Sequence, residues 1–212
     1  MLLPALRENI RTLLLRWEDQ VLWMYLDSEG LVTVGCGTLL ATAESASALP
    51  FLHKGNNQPA SKLEVEAAWR ALFIGHQEQK SAAPHKKHTA AHYENDSDLR
   101  ITQATANTLL DAHLDSDHLH LKLIYPKFDD FPDDAKLALF DMIYNLGAGR
   151  SKTRHHRAAG LMAYSTMNHA INSGDWAKAA KCCFRHGIQA ERNKVTAALF
   201  ERCAQAQKGR SV

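Results

Sequence analysis

The chain has 212 residues, 45% hydrophobic and 23% charged, with 11 Gly and 6 Pro, which excludes a collagen-like, low-complexity or wholly disordered polypeptide. A globular chain of this length fits one domain or two tightly packed lobes. No run approaches the roughly 18 apolar residues of a membrane-spanning helix, and Pro4, Arg7 and Glu8 break the apolar N-terminus too early for a signal peptide.

In chain order, Leu6, Ile10, Leu13, Leu14 and Trp17 recur at spacings of three and four. They predict an amphipathic helix from Leu6 to Glu18 that presents Glu18 at its end. The period then changes: V-L-W-M-Y-L, the turn D-S-E-G, and L-V-T-V-G-C-G read as two short strands around a glycine turn. From Ala41 to about Arg100 small, polar and histidine-rich residues take over. One helix is expected there, opened by a capping box of Ser61 and Glu64 and apolar at Leu63, Ala67, Leu72 and Phe73. Gln79 to Asp98 reads as a mobile loop. Beyond Arg100 the signals are helical. Thr102 caps one helix, Pro132 and Gly147 bracket another, Gly174 ends a third around Leu161 to Ile171, Asp175 caps a fourth, and a last runs from about Gln189 to Ala206. The fold class expected is α+β, mainly α-helical.

Divided along the chain, the net charge of +2 becomes −2 for residues 1–40, 0 for 41–100, −4 for 101–150 and +8 for 151–212. Cys36, Cys182, Cys183 and Cys203 form no disulfide scaffold, since neighbouring Cys182 and Cys183 cannot easily bridge each other, so free thiols are expected. His85, His88 and His92, or His113, His118 and His120, have spacings that suit one helical face, but further ligands and a supporting shell are missing. No metal and no cofactor are expected.

Glu18, Asp27 and Thr33 are the residues to which chemistry can be assigned. Individually each has an ordinary structural reading, as a helix-end carboxylate, a turn former and a strand threonine. Together the string W-E-D-Q-V-L-W-M-Y-L-D-S-E-G-L-V-T-V-G-C-G-T-L-L closely resembles the catalytic segment of the phage-type lysozyme, or muramidase, family. The match runs through Glu18, Tyr25, Asp27, Glu29, Gly30, Thr33, Gly35 and Gly37. A-L-F-D-M-I-Y-N-L-G-A-G-R at 138–150 and R-N-K-V-T-A-A-L-F at 192–200 resemble the family's central and C-terminal helices. Thr38 stands where many short relatives carry His, so their buried His–Asp pair is missing.

The resemblance implies a single lysozyme-like, two-lobed domain over 1–212, with a cleft between its lobes. An N-terminal helix and hairpin form a lobe of about 1–100, interrupted by an insertion at about 41–99, and a helical lobe covers about 101–207. The inserted part resembles lysozyme domains of bacterial antagonistic toxins, including type VI secretion effectors. The implied reaction is cleavage of peptidoglycan between N-acetylmuramic acid and N-acetylglucosamine, with inversion. Such cleavage needs an acid for the departing oxygen and a carboxylate on the opposite face of the sugar. Glu18 is the expected acid, Asp27 the base or electrostatic partner, and Thr33 the holder of the attacking water. By alignment, Tyr144, Asn145 and Arg192 are expected substrate contacts.

The expected partners are peptidoglycan glycan strands and, for a toxin, an immunity protein. Neither nucleic acid nor membrane insertion is expected, and the protein should be a monomer. Without its own signal peptide it would be made in the cytoplasm and delivered to a wall in the periplasm, or be part of a longer parent chain. A catalytically inactive module of the same fold, binding glycan or another anionic polymer, is the alternative.

Overall fold

A computed structural model describes residues 2–82, 88–150 and 159–209, with backbone alone for 76–82. His85, part of the expected loop and part of the basic C-terminal segment lie outside the described residues. The fold is α+β and mainly helical, with eight α-helices and two small antiparallel sheets among the described residues. None of these helices is long and apolar enough to cross a membrane. The chain divides into two compact units, one of residues 18–113 and the other of 1–17 with 114–212. The N-terminal helix therefore belongs with the C-terminal residues rather than with the hairpin, which moves the expected lobe boundary from residue 1 to Glu18.

In the first of these units, β1 (Val21–Leu26) and β2 (Val32–Gly35) pair antiparallel, and β3 (Thr38–Leu39) adds a third strand. The register sets Tyr25 opposite Thr33 and Leu26 opposite Val32. Alternation along the strands sends Met24, Leu26, Val32 and Val34 into the core. Most of their partners there come from residues 41–99. Ala46 of α2 (Ala43–Ser47), Phe51, and Val65 and Leu72 of α3 (Lys62–Ala82) pack against them, as do Leu99, Ile101 and Ala106. The Trp69 indole donates to the Leu40 carbonyl at 2.8 Å, fixing α3 to the strand it covers.

Two readings of this region change. The capping box of α3 forms as expected, with Ser61 N donating to Glu64 Oε2 at 2.7 Å and Glu64 N to Ser61 Oγ at 3.3 Å. The buried face, however, is Val65 and Leu72 with Ala68 and Trp69 beside them, while Leu63 is 77% exposed. The expected loop from Gln79 to Asp98 is helical up to Ala82 and forms a 3₁₀ turn at Ala90–Tyr93; just beyond it β5 (Leu99–Arg100) pairs with β4 (Leu52–His53). The Trp23 indole, which donates to the Ala90 carbonyl at 2.9 Å, ties that turn to β1.

The other unit holds α1 (Pro4–Leu14), the second half of α4 (Gln103–Ile124), α5 (Asp133–Leu146), α6 (Ser165–Asn172), α7 (Trp176–Cys182) and α8 (Ala190–Gly209). Proline stands at the first turn of α1, and its buried stripe is Leu6, Ile10, Leu13 and Leu14. Thr102 caps α4 and Asp175 caps α7, accepting from Thr105 N and Lys178 N at 3.0 Å each. An aromatic core of Tyr125, Phe128, Phe131, Phe140, Trp176 and Phe200 fills the space between α5, α7 and α8.

Candidate active site

α1 stops at Leu14, earlier than expected, and a turn through Trp17, closed by Trp17 N on the Leu14 carbonyl at 2.9 Å, leads to Glu18. Glu18 is therefore half-buried on the bend before β1 and not on the helix itself.

Asp27 ends β1 and organises the hairpin turn. Its Oδ1 accepts from the backbone N–H of Glu29 at 2.8 Å and of Leu31 at 2.9 Å. Main-chain bonds from Asp27 N to the Leu31 carbonyl and from Gly30 N to the Asp27 carbonyl, both 3.0 Å, close the same turn. Gly30 takes φ of +77°, which a residue with a side chain rarely adopts. Both side-chain bonds fall on one carboxylate oxygen, so the turn leaves Oδ2 outside its own network.

Thr33 is 2% exposed, and its hydroxyl donates to the Leu31 carbonyl at 3.0 Å. A hydroxyl that donates in this way keeps lone pairs to accept a further hydrogen bond.

Electrostatics link these positions. The Tyr25 hydroxyl is pushed up to about 12, first by burial and then by the negative charges of Asp27, Cys36, Glu18 and Asp19. The Cys36 thiol is pushed up to about 11 by burial and by Glu18 and Asp19. Glu18, Asp19, Tyr25, Asp27 and Cys36 thus share one neighbourhood. Asp19 and Cys36 were not among the sequence candidates, and only their places in W-E-D-Q and G-C-G hint at them. Two half-buried carboxylates, Glu18 and Asp27, with exposed Asp19 and a neutral phenol beside them, have the groups for general acid–base chemistry.

Tyr144 and Asn145 lie half-buried at the C-terminal end of α5, in the unit of 1–17 and 114–212. Arg192 belongs to the same unit but not to an open surface. It is 3% exposed and its Nε donates to Asp141 Oδ1 at 2.8 Å. The expectation of Arg192 as a substrate contact gives way to a structural role, because a buried guanidinium is held where its carboxylate is. Asp141 Oδ2 also accepts from Arg185 Nη2 at 2.6 Å and Thr196 Oγ1 at 2.8 Å. Asn193 brackets Arg185, accepting from its backbone N–H at 3.0 Å and donating to its carbonyl at 2.8 Å. The two C-terminal family-like strings therefore meet at one buried carboxylate.

The histidines are dispersed. His88 and His92 stack with ring centres 3.8 Å apart, and His118 Nε2 lies 3.3 Å from Asp129 Oδ1. Among the described residues no three His, Cys, Asp or Glu side chains are grouped to hold a metal ion.

No protein-family model matches the chain, and no curated protein sequence matches it.

Proposed function

We propose that the protein hydrolyses the glycan strands of peptidoglycan, cutting between N-acetylmuramic acid and N-acetylglucosamine, and so lyses the bacterial wall. The observation that carries this reading is that Glu18 and Asp27, nine residues apart, both bear on the half-buried Tyr25 phenol. Glu18 precedes β1 and Asp27 follows it, and their order and spacing resemble the phage-type lysozyme segment.

In this reading Glu18 protonates the departing glycosidic oxygen, and Asp27 draws a proton from the attacking water on the opposite face of the sugar. Asp27 Oδ1 is fixed by the turn, so Oδ2 is the oxygen available to the water. Thr33, already donating to the Leu31 carbonyl, accepts a hydrogen bond from that water and orients it. Tyr144 and Asn145 remain the proposed glycan contacts. No step requires a cofactor.

Thr33 at 2% exposure supports a second reading, in which the fold binds glycan or another anionic polymer without cutting it. Clearing of a purified peptidoglycan suspension separates the two. The hydrolase reading expects wild type to clear it and Glu18→Gln to lose about a hundredfold or more in rate. Equal clearing by both proteins would end the hydrolase reading. Mass spectrometry of the products should show reducing muramic ends; anhydromuramic ends would make the protein a lytic transglycosylase.

A further inference from the structure

Beside the β1–β2 hairpin, residues 18–113 enclose a cavity of about 310 Å³ that the proposed catalysis does not use. Its apolar lining is Leu26 with Ala68, Ala71 and Leu72 of α3, and its polar and aromatic lining is His92, Tyr93, Asp96 and Ser97. This is the small end of the volume range of ligand pockets, with the usual mixture of an apolar floor and a few polar groups. Leu26 is the residue immediately before Asp27, so the cavity begins one residue from the proposed base.

Its polar side has a definite chemical preference. Two nearby carboxylates are already engaged, Glu94 with Lys54 Nζ and Asp98 with His53 Nδ1, each at 3.5 Å. Asp96 has no ion pair among the described residues and lines the cavity next to Tyr93, whose hydroxyl is pushed up first by burial and then by the Asp96 charge. The His92 ring meets the Tyr93 ring edge-on, with centres 5.0 Å apart, so aromatic surface lies beside the carboxylate. A carboxylate next to aromatic rings over an aliphatic floor suits an ammonium group on an alkyl chain. The charge meets the carboxylate and the ring faces, and the methylenes lie on leucine and alanine.

We propose that this cavity holds the free side-chain amine of the diamino acid in a peptidoglycan stem peptide, so that the enzyme favours glycan whose stems are not cross-linked. The inference rests on the hydrolase reading for its substrate, but its test needs no turnover. Cross-linking converts that amine to an amide, which removes the charge Asp96 would pair with.

Calorimetric titration of the full chain with the tripeptide Ala–Glu–Lys, its Nζ-acetylated form and cadaverine tests it. The free tripeptide should bind, with acetylation or Asp96→Asn each weakening it about ten- to a hundredfold, the range of a charge-assisted contact. Gly75→Leu provides a second variant. Gly75 also lines the cavity, a Cβ there meets nothing within 4 Å and leucine favours the helix, so the protein should fold with the cavity narrowed and binding lost. Equal binding of the acetylated peptide, or no effect of either variant, would overturn the proposal. Cadaverine binding as tightly as the tripeptide would show a general amine site and overturn the stem-peptide assignment. Clearing by wild type and Glu18→Gln, measured in parallel, judges the hydrolase reading separately.

Discussion

Asp141 and Asp117 are both buried, at 1% and 5% exposure, yet their surroundings differ. Asp141 is met by Arg185, Arg192 and Thr196, so its charge is matched by donors where it sits. Asp117, on α4, is desolvated until its carboxyl group rises from 3.8 to about 7. Its contribution to stability therefore depends on pH. Below about 3.8 the group is protonated in the folded and unfolded chains alike. Between about 3.8 and about 7 the unfolded chain ionises first, so the folded state loses stability as pH rises and the full loss is present above about 7. Asp117→Asn removes that loss. It should melt with the parent near pH 4 and well above it at pH 8, by up to about 4 kcal/mol at ~1.4 kcal/mol per pKa unit. A melting gap that stays constant between those pH values, followed by circular dichroism, would refute this account. Residue types alone could not have assigned these roles. Arg192 stands out in the sequence as a cation, but its partner lies 51 positions away, and Arg185, fully buried on the same carboxylate, carries no local signal at all.

At the level of elements, the hairpin was legible because its signals are local: the short apolar run Val21 to Leu26, the D-S-E-G turn, and glycines where positive φ is required. The stretch from Gln79 to Asp98 was read as a loop because its order is not local. Ala90 and Tyr93 look like loop residues until Trp23 and the hairpin core are placed against them. Asp27 belongs to both kinds of information, as turn former and as proposed base, and two substitutions separate the roles. Asparagine keeps a carbonyl oxygen that can accept from Glu29 N and Leu31 N, so Asp27→Asn should melt within about 0.5 kcal/mol of the parent. It should nevertheless lose about a hundredfold or more in wall clearing, since an amide is no base. Asp27→Ala loses the turn bonds as well and should cost a further ~1 to 3 kcal/mol of stability. If Asp27→Asn melts like Asp27→Ala, or clears walls like wild type, Asp27 is a turn residue only.

For the whole molecule, the charge asymmetry becomes sharper when counted by folded unit instead of by chain segment. Residues 18–113 carry seven basic and twelve acidic side chains, a net −5, and residues 1–17 with 114–212 carry eighteen and eleven, a net +7. The proposed catalytic carboxylates thus belong to an acidic unit and the proposed glycan contacts Tyr144 and Asn145 to a basic one. Part of the +7 is internal, because Arg185 and Arg192 are spent on Asp141. Lys178 and Lys181 on α7 are exposed, and exposed cations raise the local concentration of an oppositely charged polymer. Binding to an anionic wall polymer such as poly(glycerol phosphate) should therefore be held by this unit and be strongly screened. The association constant should fall at least about tenfold between roughly 50 and 200 mM salt. Lys178→Glu with Lys181→Glu should weaken binding about tenfold at the lower salt, while Lys62→Glu with Arg70→Glu in the acidic unit should barely change it. Glu18→Gln should bind as wild type does, because attachment through this charge needs no bond cleavage. Equal losses from the two charge-reversed pairs would mean that net charge alone, and not its division between the units, governs attachment.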